Sequence, residues 1–85
     1  MCSYLTVRAE MQGSAKGQKG WFKLTDALCY VDHPYHASYE HTLNIDFVNG
    51  AEGPSARCAV ELTADSARRL VRMIEDALEA AGEAA

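Results

Sequence analysis

Residues 57–81 read Arg57-Cys58-Ala59-Val60-Glu61-Leu62-Thr63-Ala64-Asp65-Ser66-Ala67-Arg68-Arg69-Leu70-Val71-Arg72-Met73-Ile74-Glu75-Asp76-Ala77-Leu78-Glu79-Ala80-Ala81, and their hydrophobic period changes partway along. Up to Leu62 the pattern alternates, with Cys58, Val60 and Leu62 on one side, as a half-buried strand requires. From Ala67 onward the apolar residues recur at helical spacing: Ala67, Leu70, Val71, Ile74, Ala77, Leu78 and Ala81 form one stripe. Arg68, Arg69, Arg72, Glu75, Asp76 and Glu79 form the wet side, with Arg72 four residues before Asp76 as a supporting pair. Thr63 stands at the change of period as an N-cap, Asp65 suits the positive end of the helix, and Gly82 is a natural stop. A strand running directly into a helix puts the chain in a mixed class.

Three more strands are legible upstream. Residues 3–11 alternate Leu5, Val7, Ala9 and Met11 with Tyr4, Thr6, Arg8 and Glu10. Residues 21–32 place Phe22, Leu24, Leu28 and Tyr30 on one side, with an interruption at Thr25-Asp26-Ala27 that reads as a bulge. Residues 41–48 place Leu43, Ile45 and Phe47 together. Between them, 12–20 reads as a glycine-rich loop and 49–54 as turn chemistry. Short connections favour antiparallel neighbours. The prediction is therefore an α+β fold: a four-stranded antiparallel meander with one C-terminal helix packed on one face, the whole of 1–85 forming a single domain. Centring each hairpin on its loop sets Leu5 opposite Leu28, Leu28 opposite Ile45, and Ile45 opposite Val60. Tyr4, Thr6, Arg8, Lys23, Ala27, Cys29, Val31, Asn44, Asp46, Ala59 and Glu61 then share the uncovered face.

The chain has 85 residues, 48% of them hydrophobic, and a net charge of -4. A domain so small has a modest core and often relies on a metal, a disulfide or a second subunit. A homo-oligomer, most simply a dimer, is expected on that ground. The acidic balance argues against nucleic acid as the main partner. No apolar run is long enough to span a membrane, and no signal peptide is visible. Cys2, Cys29 and Cys58 are odd in number and widely spaced, which suits reduced thiols in a cytoplasm better than a disulfide framework. Cys29 and Cys58 fall mid-strand and read as small sheet residues.

The three histidines lie close together in Asp32-His33-Pro34-Tyr35-His36-Ala37-Ser38-Tyr39-Glu40-His41. The meander sets this segment at the end of the sheet where the helix begins, near Cys2. Imidazole titrates near neutral pH and is the commonest metal ligand. One reading is a transition-ion site built from His33, His36 and His41, with zinc first and copper, nickel or iron as alternatives. The spacing matches no defined metal motif. On this register His41 and Asp32 face the helix while His33 faces away, so a shared ion would sit at the rim. A second reading is general acid–base chemistry on a small molecule by His41 with Asp32 or Glu40, or nucleophilic chemistry at Cys2. A third gives the histidines a purely structural task, capping the loop, stacking on Tyr35 and Tyr39 and hydrogen-bonding Asp32 and Glu40. Gly13 to Gly20 looks superficially like a phosphate cradle, but it lacks the Gly-Lys-Ser/Thr ending and no helix follows it. The alternative to a ligand site is a non-catalytic oligomeric interaction module that uses the open sheet face.

The segments Gly20-Trp21-Phe22, Asp32-His33-Pro34, Glu40 to Phe47 and Ala59-Val60-Glu61-Leu62, with Met1-Cys2 and the Gly13 to Gly17 stretch, resemble a family of small proteins of unknown function common in actinobacteria. The resemblance implies a bacterial, cytoplasmic, stand-alone domain. It carries over no catalytic residue.

Overall fold

In the computed structural model, which describes residues 5–32 and 41–82, β1 (Val7–Gly17), β2 (Gly20–Asp32), β3 (Thr42–Val48) and β4 (Arg57–Leu62) precede one helix, α1 (Ala64–Ala80). The strands form one antiparallel sheet in the order β1-β2-β3-β4. This is the expected α+β meander. Thr63 caps α1, its side-chain oxygen accepting from the Ser66 amide, and Asp65 sits in the first turn.

The first hairpin departs from expectation. The segment read as a loop is strand: β1 continues to Gly17, and Gly17 pairs with Gly20 around Gln18 and Lys19 alone. Such a tight reversal needs a glycine after it, and Gly20 takes φ +103°. The irregularity lies chiefly in β1, where Met11 and Gln12 together span the gap between the pairs Glu10–Asp26 and Gly13–Leu24. Two residues opposing one partner make a bulge, which bends the strand and adds twist.

Register is corrected as well. Cys29, not Leu28, lies opposite Ile45, and Val7 lies opposite Cys29; Ile45 opposite Val60 is as expected. The loop-centring argument misplaced both turns of β2, and a one-residue slip exchanges the faces of a strand. The rows Val7–Cys29–Ile45–Val60, Ala9–Ala27–Phe47–Cys58 and Val31–Leu43–Leu62 therefore make one aliphatic face. The other face carries Arg8–Leu28–Asp46–Ala59, Glu10–Asp26–Val48–Arg57 and Tyr30–Asn44–Glu61. Ala27, Cys29 and Val31 thus belong with the aliphatic residues rather than with Arg8 and Asp46.

Beyond Val48 the β1–β2 hairpin runs on as an arm. The chain from Asn49 to Ala56 folds back against it and closes a small core of Phe22, Leu24 and Ala56, all buried. Asn49 pins this segment. Its side-chain NH2 donates to the Lys23 carbonyl at 2.9 Å and to Glu52 at 3.1 Å, and its side-chain oxygen accepts from the Ala51 amide. A short 3-10 turn, Gly50–Glu52, follows it. Ala27 and Ile45 form the buried part of the aliphatic face.

The helix covers little of that face. No residue of α1 is buried; Ala67 and Leu70 are half-buried, and from Val71 onward every described position is exposed. No helix among the described residues is long and apolar enough to cross a membrane.

Candidate functional site

The end of the sheet where β2 stops and β3 begins is also where α1 begins. His41 precedes β3 and is half-buried; Thr42, the next residue, is 1% exposed and pairs with Asp32 across the ladder. The expected pairing of Asp32 with His41 is thus replaced by Asp32 with Thr42, one residue on. The alternation of β3 places His41 on the side of Leu43 and Asp32 on the side of Thr42 and Asn44.

Between this strand end and the helix lies an open cleft of about 310 Å³. Its apolar wall is Val31, Leu43, Ala64 and Ala67, and its polar groups come from His41, Thr42 and Arg68. That volume is at the small end of ligand pockets, which are mostly apolar with a few polar groups. Two features attract negative charge, with Asp65 of the same helical turn paired to Arg69. Arg68 is a permanent cation, and the first turn of α1 carries partial positive charge on its amides. The Thr42 hydroxyl donates to the Asn44 side-chain oxygen at 2.7 Å, so this proton is already engaged.

Of the residues singled out in the sequence, the structure brings His41 to the cleft with the helix start and leaves Asp32 on the other side of the strand pair. Cys2, His33, His36 and Glu40 lie outside the described residues. Among the described residues no three histidine, cysteine or acidic side chains gather where they could hold a metal ion. Cys29 and Cys58 are free, half-buried thiols within β2 and β4, as expected of sheet residues.

A polar cluster missed in the sequence occupies the opposite face. Asp46 accepts from the Tyr30 hydroxyl at 3.1 Å on one oxygen and pairs with Arg57 at 2.8 Å on the other. Burial, then the charge of Asp46, pushes the Tyr30 hydroxyl above its ordinary pKa. Arg8 pairs with Asp26 at 3.1 Å. The Thr25 hydroxyl and then the Arg8 guanidinium hold the Asp26 carboxyl below its ordinary value. All three contacts are diagonal cross-strand pairs, i with j±2. Their signal, opposite charges on adjacent strands, is readable only once the register is known. The pairing satisfies the charges among themselves and reads as structural.

A family model matches residues 1–85, and the chain belongs to that family, a family of unknown function (DUF6295). No curated protein matches the chain, and no solved structure does.

Proposed function

We propose that this chain is a small-ligand-binding domain whose site is the cleft at His41, and that the ligand is a compact anion such as a small carboxylic acid. The observation that carries the reading is the cleft itself: Arg68 and the start of α1 border an apolar pocket with an imidazole at its rim. Arg68 would hold the carboxylate, which a guanidinium matches geometrically. Val31, Leu43 and Ala67 would take the apolar part of the molecule. His41 would meet the ligand as a hydrogen-bonding partner. The same positive field disfavours a bare cation on this side, so a zinc ion bound through His33, His36 and His41 is the weaker alternative. The free thiols of Cys29 and Cys58 suit a reducing compartment such as the cytoplasm.

The test is amide and side-chain chemical-shift mapping with a panel of small mono- and dicarboxylic acids. Saturable shifts at Leu43, Ala64 and Ala67 are expected. Arg68→Gln should weaken binding by about 10- to 100-fold, the value of a charge-assisted hydrogen bond. Shifts that stay absent at millimolar acid would refute the anion site. Stabilisation by zinc alone, lost on replacing His33, His36 and His41 by Ala, would establish the metal reading in its place.

A further inference from the structure

The stripe that α1 leaves uncovered is the largest unexplained feature of the molecule. Val71 is 58% exposed, Ile74 50% and Leu78 36%, and Met73 lies beside them at 60%. An amphipathic helix of this kind gains its stability chiefly by burying its apolar side. The pattern of charge along the helix identifies what buries it. After Asp65, the charged residues are Arg68, Arg69 and Arg72, then Glu75, Asp76 and Glu79. The helix is basic in its first half and acidic in its second. We infer that α1 pairs with α1 of a second copy of this chain, antiparallel, about a two-fold axis near Arg72 and Met73.

Three features support this arrangement. Val71, Ile74 and Leu78 follow the alternating three- and four-residue spacing of a helix–helix seam, continued by Ala67 and Ala81. Around the axis, Val71 meets Ile74 of the second copy, and Ala67 meets Leu78 of the second copy. Small residues opposite large ones let the two helices approach closely.

At 100° per residue, Arg68, Glu75 and Glu79 border one rim of the stripe, whereas Ser66, Met73 and Ala80 border the other. An antiparallel two-fold pair sets like rims together, so Arg68 lies alongside Glu75 and Glu79 of the second copy, twice over. Each contact is repeated by symmetry, as an isologous interface demands. A parallel pair would set the charged rim against the uncharged one and align the three arginines with one another.

A lipid surface is a poorer occupant. The helix carries three arginines against four carboxylates, the reverse of the basic bias that holds amphipathic helices on anionic membranes. The inference shares Ala67 and Arg68 with the cleft proposal, but Ile74 and Glu75 lie outside the cleft and its reading is mass, not ligand binding, so the two fail separately.

Sedimentation equilibrium of the full chain over a concentration series tests it, with circular dichroism as the check on folding. The wild type should approach the mass of two chains, and Ile74→Glu should hold the mass of one chain throughout. Glu75→Arg alone and Arg68→Glu alone should each weaken the dimer about tenfold, as expected of a like-charge contact made twice. The exchange Arg68→Glu with Glu75→Arg should recover it. A wild type that remains one chain at high micromolar concentration would overturn the inference. So would an Ile74→Glu variant that keeps its two-chain mass, or a double exchange that fails to recover association while each single change abolishes it. Co-sedimentation of the wild type with phosphatidylserine vesicles, at one chain per particle, would assign the stripe to a membrane instead.

Discussion

The two ends of this molecule differ in that only the arm encloses an apolar core, although Trp21 on its outer side is 71% exposed. At the arm, Phe22 is 8% exposed and sits with Leu24 and Ala56 beneath a segment tied down by Asn49. At the helix, Val71 is 58% and Ile74 50% exposed, although their pattern is the more regular of the two. Regular patterning shows that a face is meant to be covered; it does not show that the covering comes from the same chain. The arm is closed because the segment between β3 and β4 folds back onto it and Asn49 ties the two together across 26 residues of sequence. The helix leaves the sheet directly after β4, and only its first two turns reach back to it.

Truncation should separate the ends most sharply. Phe22→Ala removes a buried ring from the arm core and should cost about 3–4 kcal/mol, with a correspondingly large fall in Tm. Val71→Ala, measured below the concentration at which two chains associate, should cost under about 0.5 kcal/mol, as exposed substitutions do. Denaturant unfolding at two protein concentrations checks both. Equal losses at the two positions at low concentration would show that the helix is covered within one chain, and the contrast between the ends would collapse.

Gly17 sharpens the arm side of the comparison. A Cβ built there would lie 2.7 Å from the Ser55 carbonyl oxygen and 3.1 Å from the Phe22 ring. The first neighbour is backbone and cannot rotate away. Gly17→Ala should therefore cost about 2 kcal/mol, in the range of overpacking, whereas the same change at Gly50 meets no atom. Gly50 is the cleaner comparison, because Gly13, although also in open space, holds φ +155°, where a side chain is strained whatever its surroundings. Thermal melts of the two variants give the difference directly.

Composition hid this packing. In the sequence Gly13, Gly17 and Gly20 look alike and suggest a slack loop, but each answers a different geometric demand. Gly17 admits a neighbouring strand, and Gly20 completes a turn at positive φ. The strands β3 and β4 and the helix were legible because their alternation or helical period runs uninterrupted between clear turn and cap residues. The mutual register of β3 and β4 was also legible, since both strands end where their alternation does and the connection 49–56 is centred between them. The register of β2 was not, because one of its turns is shorter than its glycines imply and the bulge in β1 absorbs a residue. On the other side of β2 a separate one-residue slip against β3 assigned Ala27, Cys29 and Val31 to the wrong face and set Asp32 against His41. The histidine cluster points to the end of the sheet where His41 lines a cleft with the start of α1. The cluster could not reveal Arg68 as a lining residue, because that depends on how α1 rotates against Val31 and Leu43.

The smallest expected effect lies at the junction between arm and sheet, where Arg8 and Asp26 pair next to the Met11–Gln12 bulge. The folded state holds the Asp26 carboxyl below its ordinary value of 3.8. A group whose pKa is lowered on folding contributes stability above its unfolded pKa and loses it as pH falls through the folded one. Asp26→Asn should therefore lower Tm slightly at neutral pH, and the gap to wild type should close as the solution is acidified past the ordinary carboxylate value. Because Arg8 is largely exposed, salt should narrow the same gap at neutral pH. Glu75→Gln at the helix end provides the counterpart, with an effect on melting that depends on protein concentration, whereas the Asp26 effect does not. If the Asp26 gap also varied with protein concentration, the junction would belong to an interface between copies, and the boundary between the self-contained end and the open end would have to be redrawn.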